Sequence, residues 1–152
     1  MISKNFEIVN KKANYQFNIS DSYVAGIMLK GTEIKALREG KGSLSEAYCI
    51  FRKGELYLKN MHISEYSLGN VHNHEPTRLR KLLLRKREIK KLQAKVKEKG
   101  LTIIPLRMFI SDRGLAKVEV GLARGKKIFD KRKSIKEKDN KRDLNRALKG
   151  LK

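Results

Sequence analysis

A mainly β fold is predicted for this chain: a small closed antiparallel barrel with two or three helices and a basic C-terminal tail. Three observations predict it. Short alternating or β-branched runs, bounded by turn residues, recur from Tyr15 to Ala123. Only two segments carry helical start and stop residues. The last 28 residues, Gly125 to Lys152, hold twelve Lys/Arg against four Asp/Glu and only seven apolar side chains. That is too little apolar surface to offset the entropy of ordering them, so the tail is expected to be disordered when free.

Taken in order, residues 1–14 read as a polar lead-in. Tyr15-Gln16-Phe17-Asn18-Ile19 alternates as a strand, and Tyr23 to Leu29 is either a second strand or the first continued past a bend. Gly31 to Gly40 has short-helix grammar. Thr32 can cap it, Glu33 suits the positive end of the dipole, Ile34 and Leu37 share a face, and Gly40 can stop it. Tyr48–Arg52 and Glu55–Lys59 flank Lys53-Gly54 as a hairpin, and Met61-His62-Ile63 extends the second arm beyond a bulge. Ser67 to Glu75 is a loop. Pro76, at a helix N1 position, opens a long basic helix that Gly100 closes. Leu101–Ile110 and Leu115–Ala123 make a second hairpin around Asp112-Arg113-Gly114, with Pro105 marking an edge or bulge.

On the long helix, Leu79, Leu82, Ile89, Leu92 and Val96 fall on one stripe, the face that docks on the barrel. Leu83 borders the stripe and Leu84 lies outside it. Both cover neighbouring chain, or one of them offers an apolar contact to a partner. The opposite face, with Arg80, Arg87, Lys91 and Lys95, is a solvated charged surface or a phosphate track.

The charge is placed unevenly. Of the net +21, Thr77–Lys99 carries +9 and the tail +8, so 101 residues share only +4. Barrel plus basic appendages points to nucleic acid before an anionic membrane. No apolar run approaches the ~20 residues of a membrane span. The N-terminus shows no signal-peptide core, and the single Cys49 fits a reducing, cytoplasmic setting.

Enzyme chemistry finds no grouping. His62, His72 and His74 lack helical metal-ligand spacing, and His72-Asn73-His74 reads as turn and cap rather than a metal site. Gly40-Lys41-Gly42-Ser43 lacks phosphate-loop spacing. Glu33, Glu39 and Glu46 read as helix and turn charges. No metal, no cofactor and no catalytic residue is expected. Aromatics in strand patterns belong to the barrel, whereas Phe129, between Lys127 and Lys131 with no local core, is placed to stack on a base or wedge into RNA.

Four blocks in order carry a resemblance: Ala25-Gly26-Ile27, Gly31-Thr32-Glu33-Ile34-Lys35-Ala36-Leu37-Arg38, Thr77-Arg78-Leu79-Arg80-Lys81-Leu82-Leu83-Leu84, and Gly125-Lys126-Lys127-Ile128-Phe129-Asp130-Lys131-Arg132. From about Asn10 to about Lys138 the chain resembles the SmpB family, the bacterial partners of transfer-messenger RNA. The resemblance implies an oligonucleotide-binding-type barrel that grips the tRNA-like domain of that RNA and escorts it to stalled ribosomes for trans-translation. It implies a barrel domain over 1–124 and a tail over 125–152 that becomes helical in the empty mRNA channel of the small subunit. A cytoplasmic, monomeric protein is expected.

Family RNA-binding positions fall on Leu83 and Lys117, and the Asn10-Lys11-Lys12-Ala13 block matches on the RNA side. Lys35, Arg38, Arg78 and Lys81 are candidate RNA contacts within the matching blocks. Lys126, Lys127, Phe129, Asp130, Lys131 and Arg132 would act at the decoding site. Val24 stands where relatives often have a glutamate linked to RNA binding, Glu75 where aspartate is common, and Phe129 where Tyr or His is usual. On composition alone a structural ribosomal protein, with a similar barrel and basic extension, fits equally well.

Overall fold

The computed structural model describes residues 6–69 and 73–125. These form β1 (Glu7–Val9), α1 (Ala13–Gln16), β2 (Phe17–Ile27), α2 (Gly31–Arg38), β3 (Gly42–Ser43), β4 (Tyr48–Arg52), β5 (Glu55–Lys59), β6 (His62–Ile63), β7 (Arg80–Leu83), α3 (Lys86–Lys99), β8 (Thr102–Ile110) and β9 (Ala116–Gly125). One sheet runs β1-β8-β4-β5-β7-β2-β9, and β8 pairs with β9 as well. β3 and β6 make a separate two-stranded sheet. Every pairing is antiparallel.

Local chemistry explains the hairpins. Lys53 and Gly54 have φ of 52° and 75°, the left-handed pair that a two-residue turn needs to match strand twist. The β8–β9 register shifts between Pro105 and Arg107, where a residue without an N–H interrupts the ladder. β2 is one continuous strand with an irregularity between Ile19 and Asp21, which settles the two readings of that segment. Ala25, Ile27, Leu56, Leu58, Leu82, Val118, Val120 and Leu122 fill the core from the inner face of the sheet. Leu37 from α2 and Leu92 from α3 close over it.

Several expectations are corrected. The long helix from Pro76 is broken, since Arg80–Leu83 is strand β7 and only Lys86–Lys99 is helical. Pairing with β5 and β2 overrides the helical propensity of a Leu-rich run, and Gly100 closes α3 at φ 63°. Arg80 does not lie on a solvated face; it is fully buried. Leu79 and Leu82 therefore share no helical stripe with Ile89, Leu92 and Val96. The lead-in contains β1 and α1, so β2 begins at Phe17 rather than Tyr15. Met61-His62-Ile63 does not prolong β5, because Ile63 and His62 pair with Gly42 and Ser43. Thr32 is not the cap of α2. Its hydroxyl bonds His74 Nδ1 at 2.9 Å, while Glu33 Oε1 accepts the Lys30 N–H at 2.7 Å. The readings of His72 and of Lys126, Lys127, Phe129, Asp130, Lys131 and Arg132 fall outside the described residues.

Beneath α2 lies a buried charge cluster. Glu33 and Arg80 are both fully buried, and Arg80 Nε donates to Glu33 Oε2. Arg78 Nη2 donates to Glu33 Oε1 at 2.6 Å and to the Met28 carbonyl at 3.2 Å. The remaining Arg80 donors reach the Met61 carbonyl at 2.6 Å and the Pro76 carbonyl at 3.1 Å. Burial by itself would raise the Glu33 pKa, but the Arg78, Lys30 and Arg80 donors outweigh it and hold the carboxyl below its ordinary value. Burial pushes the Arg80 guanidinium down, and Glu33 offsets part of that cost.

Removing one partner from such a cluster leaves uncompensated buried charge, at about 3–5 kcal/mol. Glu33→Gln should therefore unfold at a markedly lower denaturant midpoint than the native chain at pH 7. A depressed carboxyl stabilises above its unfolded value of 4.5, and that contribution is lost as pH falls through the lower folded value. The gap between variant and native midpoints should shrink with acidification over that window. A constant gap would show that Glu33 ionisation does not carry the effect.

Candidate nucleic-acid interface

The outer face of β2 is set by its inner one. Ala25 and Ile27 are buried, so Val24, Gly26 and Met28 point outward, with Val24 and Met28 53% and 54% exposed. Cross-strand register places Gly26 opposite Leu83 of β7 on one side and opposite Lys117 of β9 on the other. Leu83, Gly26 and Lys117 thus form a row across three strands.

Gly26 sits in close approach to its neighbour strand. A Cβ built there would meet the Leu83 Cβ at 3.3 Å, tighter than ordinary contact. The missing side chain lets Leu83, 49% exposed, lie beside Lys117. Around this row opens a groove of about 790 Å³, whose lining also includes Val24, Lys81, Arg85, Lys86 and Arg87.

The electrostatics are one-sided. Lys81 has Glu55 at 4.0 Å, whereas Lys117 has no carboxylate partner among the described residues. Glu119, paired across the ladder with Val24, is taken by Arg107 at 2.7 Å. Arg107 also stacks on Phe109 at 4.2 Å and lies 3.5 Å from Glu7; the hydrogen bond to Glu119 holds its pKa up. At the flank, Lys95 binds Asp21 at 2.9 Å, which lowers the Asp21 pKa and removes Lys95 from the predicted phosphate track. The result is a cationic rim around exposed aliphatic side chains.

The other predicted contacts disperse. Lys35 and Arg38 lie on α2, where Lys35 Nζ sits 5.6 Å from the Tyr66 ring centroid and the Arg38 Nε is buried without a partner. Arg78 is committed to Glu33 and the Met28 carbonyl. Asn10 is buried, with its N–H on the Leu106 carbonyl at 2.8 Å and its Nδ2 on the Pro105 carbonyl at 2.9 Å, so it secures the β8 bulge. Lys11 and Lys12 are exposed beside it, Lys12 with Glu46 at 3.5 Å. Of the nine body candidates, the groove gathers only Lys81, Leu83 and Lys117. Sequence reasoning missed Gly26, Met28 and Arg85 as neighbours of these; the alternation from Val24 to Met28 was the available signal.

Among the described residues no group of three His, Cys, Asp or Glu could hold a metal ion. Cys49 is buried, and burial pushes its thiol far above the ordinary value. No helix among them is long and apolar enough to cross a membrane.

The family model described as SmpB protein matches residues 7–150. The SsrA-binding protein of Cytophaga hutchinsonii is 58% identical over 145 residues, covering 95% of each chain. That of Geobacter sulfurreducens is 51% identical over 139 residues, covering 91% of this chain and 90% of the relative. A chain of the solved structure described as "tmRNA-SmpB: a journey to the center of the bacterial ribosome" is 48% identical, covers 80% of this chain and 85% of its own, and superposes with a TM-score of 0.67. Matched along nearly its whole length by the family model and by relatives of similar size, the chain belongs to the SmpB protein family.

Proposed function

We propose that this chain binds the tRNA-like domain of transfer-messenger RNA through the groove around Leu83, Gly26 and Lys117 and delivers it to stalled ribosomes. Family membership supplies the partners: relatives are SsrA-binding proteins, and the structural neighbour is described with tmRNA and the bacterial ribosome. The observation that carries the site is the three-strand row, which sets an exposed aliphatic side chain in line with a cation that has no carboxylate partner among the described residues. The circuit of pairings through β8, β4, β5, β7, β2 and β9 supports an oligonucleotide-binding-type closed barrel. The protein works in the cytoplasm as a monomer and makes or breaks no bond. Its basic tail, including Lys126, Lys127, Phe129, Asp130, Lys131 and Arg132, probes the empty mRNA channel at the decoding site.

Lys117→Ala should weaken binding and flatten its salt dependence by one phosphate's share, a slope change of about 0.7–0.9. Leu83→Ala should weaken binding roughly tenfold, the worth of reburying half a leucine, and leave the slope unchanged. Filter binding of the tRNA-like domain across a salt series separates the two, and identical slopes for all three proteins would remove Lys117 from the contact. Truncation before Gly125 should leave this affinity nearly intact and abolish tagging on ribosomes stalled on truncated messages. Loss of both together would refute the proposed division between body and tail.

A further inference from the structure

We infer that the outer face of α3 is a second, sequence-independent contact that continues the groove along the phosphates of a double-helical arm of the same RNA; this rests on the RNA-binding reading above. The groove is lined at one end by Lys86 and Arg87, the first turn of α3. From there Lys86, Arg87, Lys90, Lys91 and Lys97 occupy one outward arc of the helix, about 140° wide at 100° per residue, with Glu98 the one acidic side chain within it. All five are exposed, and among the described residues none makes an ion pair with a carboxylate, although the charge of Lys91 is felt by Asp21.

Their spacing fits a nucleic-acid strand. Lys86 to Lys97 spans about 16 Å at 1.5 Å per residue. Five cations over that length lie about 4 Å apart on average along the axis, against about 3.4 Å between charges along one strand of duplex DNA. Side chains so placed reach phosphates and no base edges, which positions an RNA without reading it.

The charge pattern is also one that a merely solvated helix has reason to avoid. Lys86–Lys90, Arg87–Lys91, Lys91–Lys95 and Lys95–Lys99 are all like-charge neighbours at i,i+4, which destabilise a helix. Glu88 has Lys91 and Glu98 has Lys95 three positions away, but these two glutamates face seven basic residues on the helix, and Glu88 Oε1 is engaged by the Arg85 N–H at 3.3 Å. A polyanion relieves that repulsion. A membrane surface fits less well, because the apolar face of α3 is spent: Ile89 and Leu92 are buried against the sheet, and the exposed arc centres on Ala94.

The test uses the full chain carrying Lys90→Gln, Lys91→Gln and Lys97→Gln together, three positions outside the groove lining. Binding is measured across a salt series to the tRNA-like domain and to an unrelated RNA hairpin. The slope should become shallower by about two to three for both RNAs, with the preference between them unchanged. The thermal midpoint should be equal or higher, and Arg at the same three positions should restore the native slope. A native slope in the folded Gln variant would overturn the inference. So would a change seen with one RNA only. If the native chain itself showed no preference for the tRNA-like domain, the groove reading would fail separately, since the slope of the variant would still decide whether α3 contacts phosphate.

Discussion

The carboxylate of Glu33, held by two guanidiniums and a backbone N–H under α2, is the constraint on which the interface depends. Arg80 can reach it only if the side chain at the start of β7 points inward. Strand alternation then sends Leu82 into the core and turns Lys81 and Leu83 outward. A slip of one residue would bury Leu83 and expose Arg80, emptying the groove of its apolar member. The same cluster ties the Pro76 and Met61 carbonyls to Arg80 and the Met28 carbonyl to Arg78, so three segments of chain converge on one anion. A buried ion cluster contributes little net energy, but few alternative packings satisfy it, and here it fixes a register.

Much of the frame was legible because local chemistry dictated it. Lys53-Gly54 marked a hairpin, Pro105 a bulge, Gly100 a helix end, and the alternation after Leu115 a strand. β7 was not legible. Four residues are too few to show a period of two, and the run Leu82-Leu83-Leu84 among basic residues has the propensity of a helix. Pro76 imitated a helix start, though its carbonyl is an acceptor for Ile63 and Arg80. β1 was invisible for another reason: three residues become a strand only through their partner β8. The row of Leu83, Gly26 and Lys117 is likewise a property of register across three strands, distant in sequence, and no local window contains it.

Charge shows the same limit. Composition counts cations but cannot say which are already spent. Arg78 and Arg80 are consumed by Glu33, Lys95 by Asp21, and Arg107 by Glu119 and Glu7. These pairs remove Arg80 and Lys95 from the track that a helical projection would have chosen and leave Arg87 and Lys91, while Lys117, inconspicuous in a strand, has no carboxylate partner among the described residues. The functional surface is what remains after the fold has taken its share of the charges.

That remainder is unfavourable for the protein alone, and the two unfavourable parts adjoin. Val24, Met28 and Leu83 leave large aliphatic area in water beside one another, where a core position would stabilise each by about 1.5–3 kcal/mol. Next to them the basic residues Lys81, Arg85, Lys86, Arg87 and Lys117 outnumber the acidic Glu55 and Glu88 in the groove lining, which leaves an excess of positive charge. Either feature alone is common on protein surfaces. Together, around a glycine whose lack of a side chain lets the strands present a leucine and a lysine side by side, they describe a partner that is both polyanionic and able to offer an apolar face. Folded RNA has both: phosphates outside, and unstacked bases or sugar edges where its loops open. In the proposed complex the phosphates would account for affinity and its salt dependence, while the aliphatic contacts would require a particular shape to meet them, so selectivity for one folded RNA would not depend on reading a base pair.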